Sequence, residues 1–140
     1  MKRKKKNILI TGGTGFIGFH LIKRCLKNNF NVTSISTKRP KKISSFRKVR
    51  YITCDIRNKT ILKKKIKGNF DYIVNLGGYV DHSKLKKTFS SHFKGCVNLA
   101  DIFKNKKISH FIQIGSGLEY GNISSPQKEN FKCFPKSNYG

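Results

Sequence analysis

Three glycines at three-residue spacing are the first residues in the chain whose types could do chemistry. The segment TGGTGFIG directly follows a short apolar run and leads into a helical pattern. In such a turn Gly12 permits the sharp bend, Gly15 lets backbone approach a pyrophosphate, and Gly18 lets the helix pack close to the strand. Phosphate would accept hydrogen bonds from unpaired N–H groups at the helix start. The pattern predicts a dinucleotide-binding turn formed by Gly12, Gly15, Phe16, Ile17 and Gly18.

The elements that would position this turn are short apolar runs alternating with lysine-rich helical stretches. The runs are β-branched and bounded by turn or polar residues, as expected for strands of a parallel sheet covered on both faces. We predict strands at 7–11, 31–36, 50–53, 71–76 and 110–114, and helices at 15–28, around 62–66 and at 84–105. This alternation predicts a single α/β domain over residues 1–140, with a doubly wound, Rossmann-like sheet in the order 3-2-1-4-5.

The helix predicted at 84–105 carries the clearest apolar periodicity. Its apolar side chains recur at three- and four-residue steps. Aromatic residues at this spacing usually belong to a core rather than to a ligand site. We therefore expect Phe89, Phe93 and Phe103 to pack in the interior.

The net charge of +25 raises a different function, binding to nucleic acid or to an anionic membrane. Lysine outnumbers arginine 25 to 6, whereas direct readout of bases relies on arginine. The lysines are also spread along the chain, and Ala100 is the only alanine, which indicates a compositional bias acting on solvated positions. The composition therefore favours a chain with neither a nucleic-acid nor a membrane partner.

Cysteine spacing and the length of the apolar runs restrict the class further. The four cysteines lie far apart, with no CxxC pair and no histidine at metal-ligand spacing, so neither a metal site nor a disulfide framework is indicated. No apolar run approaches the ~18 residues of a membrane span. The basic start leads into a stretch too short and too rich in glycine for a signal peptide. We expect a cytoplasmic protein with free thiols.

TGGTGFIG resembles the TGxxGxxG fingerprint of the extended short-chain dehydrogenase/reductases, the NAD-dependent epimerase/dehydratase family that acts on nucleotide sugars. The resemblance extends through essentially the whole chain. It implies a nucleotide-sugar epimerase or keto-reductase that uses NAD or NADP and that forms homodimers in its full-length relatives.

The resemblance assigns further residues to the cofactor. Asp55 and Ile56, after the third strand, match the pair that contacts adenine, and the segment Leu76–Gly78 matches the small-residue turn beside the nicotinamide half. No acidic residue precedes Asp55 to bind the adenine ribose of NAD, and the second strand ends in Ser36-Thr37-Lys38-Arg39. Ser36 and Arg39 would suit a 2′-phosphate, so NADP is slightly favoured over NAD.

Two histidines near the predicted nicotinamide turn carry weaker signals. His82 could face substrate, but a lone histidine after a strand is more often a surface or packing residue. His92 stands where the family usually has asparagine in its helix segment N-x-x-G-T-x-N, here HFKGCVN. This departure puts a hydrogen bond on the cofactor side in doubt.

The catalytic residues implied by the resemblance are Ser116 and Tyr139. Ser116 precedes Tyr120-Gly121 by four residues, as the hydroxyl residue does in the family's S-(S/T)-x-x-x-Y-G segment. Dehydratases place Asp-Glu directly after that residue, and this chain has Gly117-Leu118, so epimerisation or keto reduction is favoured. Tyr139 matches the tyrosine of the family's YG-x-x-K motif, whose lysine lowers the tyrosine pKa so that phenolate can accept a proton.

The lysine of that motif would fall three residues beyond Gly140. The substrate region of family members would follow it. We therefore expect a sheet that is incomplete at its C-terminus and a chain that is inactive by itself. Two other functions stay open, namely a dinucleotide-binding regulator without turnover and a basic nucleic-acid binder on a Rossmann-like frame.

Overall fold

Five short β-branched runs pair into one parallel sheet in the order β3-β2-β1-β4-β5. The structure, a computed structural model, describes residues 5–79, 81, 83–137, 139 and 140. The strands are β1 (Asn7–Thr11), β2 (Asn31–Ser36), β3 (Val49–Thr53), β4 (Tyr72–Asn75) and β5 (His110–Gln113). The helices are α1 (Phe16–Lys27), α2 (Lys59–Lys65), α3 (Leu85–Phe89) and α4 (Gly95–Phe103). The predicted α/β class, Rossmann-like topology and strand order are confirmed.

Each face of the sheet carries its own apolar core, which explains why the strands are apolar on both sides. On β1 the side chain of Leu9 points to one face, and those of Ile8 and Ile10 point to the other. The first face packs against Leu62 of α2 and against α4. The second face packs against Ile22 of α1. The two layers of helices hold the carboxyl ends of all five strands at one edge.

The helix predicted at 84–105 is interrupted by a π-helical turn. α3 ends at Phe89, residues Ser90–Lys94 form the π turn, and α4 begins at Gly95. The expectation that its aromatic residues are core residues is right for Phe103, which is 1% exposed, and wrong for Phe89 and Phe93, which are 48% and 57% exposed. An i→i+5 turn holds an extra residue, so the inward face before it is out of phase with the inward face after it.

The C-terminal segment folds back on the loop that follows β5. Residues Gly117–Tyr120 form a short 3-10 turn. A Cβ placed on Gly121 would meet the carbonyl of Phe134, and one on Gly140 would lie 2.8 Å from the carbonyl carbon of Leu118. These close backbone contacts bring Tyr139 to the same edge as the strand ends.

Candidate functional site

The glycine turn joins β1 to α1 at the carboxyl edge of the sheet. Gly12 has φ +71°, which favours glycine, and a Cβ there would lie 2.8 Å from the carbonyl oxygen of Leu76. A Cβ on Gly18 would overlap the Gly12 carbonyl and lie 2.5 Å from the Cα of Gly13. Gly15 is different, because its nearest neighbour would be the Gly12 carbonyl oxygen at 3.3 Å. Two of the glycines permit close packing, and the third leaves open space above the turn.

The N-terminus of α1 is open to a negatively charged group. Gly15 is the N-cap residue, no side chain caps this end, and the first turn contains no acidic residue. The side chains of Phe16 and Ile17 are 81% and 62% exposed, and both line the cavity beside the N-terminus of α1. The first N–H groups of a helix have no intrahelical acceptor, and they favour phosphate. This end of α1 therefore fits the pyrophosphate of a dinucleotide.

Two cavities meet over the glycine turn and form one cleft along the carboxyl edge. The first, of about 350 Å³, lies on the side of β4 and β5, and the second, of about 320 Å³, lies on the side of β2 and β3. We call them the Tyr139 cavity and the Asp55 cavity. The residues that line both are Gly12, Gly15, Leu76, Gly77, Gly78 and Tyr79. The predicted glycine turn and the predicted small-residue turn thus form the shared middle of the cleft.

A buried polar network ties the ends of β1, β4 and β5 together below the cleft. Asn75 is fully buried, and its Nδ2 donates to Oε1 of Gln113 at 2.6 Å. Its Oδ1 accepts from the hydroxyl of Thr11 and from the N–H of Gly77 at 3.1 Å. Because a buried amide needs partners for both its oxygen and its nitrogen, this network fixes the strand register and the position of Gly77.

Asp55 and Arg57 form an ion pair at the far end of the Asp55 cavity. Nη2 of Arg57 donates to Oδ2 of Asp55 at 2.6 Å, and Nε contacts both carboxylate oxygens at 3.0 and 2.9 Å. The Arg57 N–H also donates to Oδ1 at 2.9 Å. The hydrogen bonds from the Arg57 side chain lower the pKa of the Asp55 carboxyl, against the opposing effect of burial. The Asp55 carboxylate therefore stays charged at this end of the cavity.

Replacing Arg57 with glutamine should raise the pKa of Asp55 toward its ordinary value, because the fork of charge-assisted hydrogen bonds is lost. In the unchanged chain the folded pKa lies below the unfolded one. The pair therefore stabilises the fold above the unfolded pKa and loses this contribution as the pH falls through the folded pKa. A ¹³C NMR titration of the Asp55 carboxyl measures the shift. Lys59→Gln is the matched control, because Lys59 bonds Asp101 instead. An unchanged Asp55 titration in the Arg57 variant would contradict the assignment.

Ser116 and Tyr139 lie on the loop after β5 and on the returning segment. Oγ of Ser116 accepts from the N–H of Leu118 at 3.2 Å, which leaves the hydroxyl hydrogen available to donate. The Tyr139 side chain lines the cavity named after it, and its ring meets the ring of His92 edge to face, with centroids 4.9 Å apart and planes at 80°. Tyr139 is therefore half of a packed aromatic contact at the cleft wall.

The structure brings most of the predicted site residues to this cleft. Those that line it are Gly12, Gly15, Phe16, Ile17, Gly18, Ser36, Asp55, Ile56, Leu76, Gly77, Gly78 and Tyr139. Of the predicted residues that the structure describes, Arg39 and Ser116 line neither cavity. Thr37, two positions before Arg39, and Gly115, directly before Ser116, do line the cleft. His82 lies outside the described residues.

The described residues also include thirteen that line the cleft and were not predicted as site residues from the sequence. Among them are Arg57, Tyr79, His92 and Gln113. Arg57 stands two positions after Asp55, so the Asp55-Ile56 pattern could have indicated it. His92 was noted only as a departure from the family pattern, and its place at the cleft depends on the π turn.

A family model decides what kind of chain this is. The model of the NAD dependent epimerase/dehydratase family matches residues 8–140. The chain belongs to this family. The match covers the glycine turn, the Asn75 network and both candidate catalytic residues, and it confirms the resemblance read from TGGTGFIG.

Several curated relatives of the chain are UDP-glucose 4-epimerases by name. The chain is 28% identical to a bifunctional UDP-glucose 4-epimerase and UDP-xylose 4-epimerase of Pisum sativum, with 100% of this chain and 45% of the relative covered. It is 25% identical to a putative UDP-glucose 4-epimerase of Methanocaldococcus jannaschii, with 95% and 46% covered. The chain spans about half the length of the curated relatives it matches.

Solved structures share the fold of the chain. The Bordetella bronchiseptica enzyme WbmG in complex with NAD superposes with a TM-score of 0.87 at 20% identity, covering 99% of this chain and 47% of that one. A Thermotoga maritima UDP-glucose 4-epimerase with UDP-glucose gives 0.86 at 22% identity, covering 96% and 46%. At this identity the likeness shows the fold.

Among the residues that the structure describes, no helix has both the length and the apolar character needed to cross a bilayer. The same part of the chain contains no group of three or more His, Cys, Asp or Glu side chains placed to hold a metal ion.

Proposed function

We propose that the chain provides the dinucleotide-binding part of an NAD(P)-dependent nucleotide-sugar epimerase or keto-reductase. One observation carries the proposal, namely that a single cleft runs over the glycine turn from Asp55 to Tyr139. The cleft places an uncapped helix N-terminus at its middle and a phenol at one end. The names of the curated relatives make a UDP-sugar the substrate class to test first.

The residues of the chain fit a dinucleotide along this cleft. The N–H groups at the start of α1 would hold the pyrophosphate, Asp55 and Ile56 the adenine, and the Leu76–Gly78 turn the nicotinamide half. The adenine end lacks a carboxylate at the end of β2 and contains the hydroxyls of Ser36 and Thr37. These groups would suit a 2′-phosphate as well as a 2′-hydroxyl, so we propose that NADP binds at least as tightly as NAD.

The chemistry of the site would be the removal of a hydride from one sugar carbon and of a proton from the hydroxyl group on that carbon. Nicotinamide, when bound, supplies the hydride acceptor. Tyr139 would accept the proton of the sugar hydroxyl as the C–H hydride leaves, so that the carbon becomes a ketone. Ser116 would donate a hydrogen bond to that oxygen, using the hydrogen that its bond with Leu118 leaves free. Return of the hydride to the opposite face of the ketone, with return of the proton from Tyr139 to the oxygen, would complete epimerisation. A keto-reductase would carry out only this second half, with the reduced nicotinamide as the hydride donor.

Calorimetric titration of the 140-residue chain tests the proposal. NAD and NADP should each bind at 1:1 with a Kd below about 1 mM, as enzyme cofactors commonly do. Failure of both to bind would contradict the proposed function. Salt-dependent binding to DNA without dinucleotide binding would support the basic nucleic-acid binder instead.

A further inference from the structure

We propose that His92 is a positioning residue, which fixes both the Gly78–Tyr79 turn and the ring of Tyr139 at the nicotinamide side of the cleft. This role rests on the proposed function, because that function places adenine at the Asp55 end of the cleft and nicotinamide at the Tyr139 end. His92 lines the Tyr139 cavity and is half-buried there. It occupies the place where the family usually has asparagine, so the inference concerns a feature of this chain.

The π turn aims His92 at the cleft. The turn covers Ser90–Lys94, between α3 and α4. Ser91 lines the Asp55 cavity and His92 lines the Tyr139 cavity, so two adjacent residues of the turn reach the two halves of the cleft. Single π turns inside helices often occur at functional sites, because the extra residue redirects side chains.

The first contact of His92 is with the backbone of Tyr79. The N–H of Tyr79 points at Nε2 of His92, with the two nitrogens 3.1 Å apart. The carbonyl oxygen of Tyr79 lies 3.2 Å from the same Nε2. Two tautomers fit these distances: with the proton on Nδ1, Nε2 accepts from the Tyr79 N–H, and with the proton on Nε2, the ring donates to the Tyr79 carbonyl. We take the first arrangement, in which Nε2 accepts. This hydrogen bond holds the turn that lines the middle of the cleft.

The second contact is with Gly78. A Cβ on Gly78 would lie 2.6 Å from Nε2 and 2.7 Å from Nδ1 of His92. The imidazole therefore fills the space that any side chain at position 78 would need. Gly78 and His92 form a coupled pair, because a side chain at position 78 requires the imidazole to move.

The third contact is with Tyr139, whose ring meets the imidazole at a centroid distance of 4.9 Å. Edge-to-face pairs of this kind restrict the orientation of both rings. The same imidazole thus touches the turn expected beside nicotinamide and the residue expected to take the proton. A side chain that bridges these two groups sets their separation.

A ¹⁵N NMR spectrum of the histidine rings in the full chain tests the geometry without any ligand. Neutral His92 should show a protonated Nδ1 and an unprotonated Nε2, because Nε2 accepts from the Tyr79 N–H. Tyr139→Leu should shift the ring-proton signals of His92, because the edge-to-face neighbour is removed. Protonation at Nε2, or ring-proton signals of His92 that are unchanged by Tyr139→Leu, would overturn the proposal.

Substitutions at position 92 test the consequence for binding. His92→Phe keeps a ring and loses the acceptor for Tyr79, so affinity for NAD should fall about 10-fold. His92→Asn supplies an amide oxygen as acceptor and should bind NAD within about 3-fold of the unchanged chain. Affinity for ADP-ribose, which lacks nicotinamide, should change less than 2-fold in both variants. Equal losses for NAD and ADP-ribose would show a general structural defect and would overturn the positioning role.

A double-mutant cycle with Gly78 separates this proposal from the proposed function. Gly78→Ala should lower the melting temperature of the chain by roughly 5–10 °C when His92 is present, because of overpacking, and by less than half as much in the His92→Asn background. Additive effects would overturn the coupling. If no version of the chain binds a dinucleotide, the proposed function fails, and the cycle and the NMR spectrum still decide the geometry around His92.

Discussion

Replacing Gly18 with alanine should destabilise the chain by about 2 kcal/mol and abolish dinucleotide binding. Gly18 lies in the first turn of α1, where alanine would gain about 1 kcal/mol of helix propensity. The added Cβ would overlap the Gly12 carbonyl and lie 2.5 Å from the Cα of Gly13. Both neighbours are backbone atoms of the turn, so relief requires moving the turn itself, and overpacking of this kind costs up to about 3 kcal/mol. Urea unfolding and calorimetric titration with NAD measure the two losses.

Alanine variants at two other glycines distinguish a loss of folding stability from a loss of dinucleotide binding. Gly15→Ala adds a Cβ that lies 3.3 Å from the Gly12 carbonyl oxygen, its nearest neighbour, at a residue with φ −81°, so folding should be nearly unchanged. The methyl group would occupy the approach to the helix N-terminus, so NAD affinity should fall at least about 30-fold. Gly117→Ala meets nothing within 4 Å and should change neither property. Equal stability of the Gly18 and Gly117 variants would contradict the packing argument.

In a chain fused after Gly140 to the remaining part of a curated UDP-glucose 4-epimerase relative, which supplies the motif lysine and the substrate region, replacing Tyr139 with phenylalanine should slow hydride transfer from a UDP-sugar to bound NAD by about 10²–10⁴-fold, the usual contribution of general base catalysis. The ring contact with His92 is kept, so NAD affinity should stay within about 3-fold. Single-turnover absorbance at the wavelength of the reduced nicotinamide measures the rate.

Tyr120→Phe is the matched control for Tyr139, because Tyr120 also precedes a glycine and lies on the loop after β5. It should not change the rate. Both substitutions are made in the fused chain, in which a lysine stands four residues after Tyr139 and its charge favours the phenolate. Equal rates for the Tyr139 variant and the unchanged fused chain would contradict the assigned base.

The sheet and the glycine turn were predictable because local sequence determines them. Each strand is a short β-branched run, and the βα alternation restricts the strand order to that of a doubly wound sheet. Asn58 is the N-cap of α2, and its Oδ1 accepts from the N–H of Ile61 at 3.0 Å. These features depend on few residues that are close in sequence.

The position of His92 could not be predicted from the sequence, because it depends on a π turn inside an apparently continuous helix. The same turn explains why the aromatic stripe of Phe89 and Phe93 was wrongly expected in the core. A periodic pattern predicts a helix, and it carries no signal for one extra residue in a turn. The Asn75 network could not be predicted either, because Thr11 and Gln113, the partners of Asn75, stand 64 and 38 positions away in the sequence.

An NMR map of the 140-residue chain titrated with NAD tests whether one cofactor occupies the whole cleft. We expect 1:1 binding that perturbs the signals of Asp55, Gly15, Gly77 and Tyr139 together, because one dinucleotide spans the whole cleft. AMP should perturb Asp55 and leave Tyr139 unchanged. Perturbations confined to lysines away from the strand ends, or a response at Asp55 and Tyr139 with separate affinities, would contradict a single cofactor cleft.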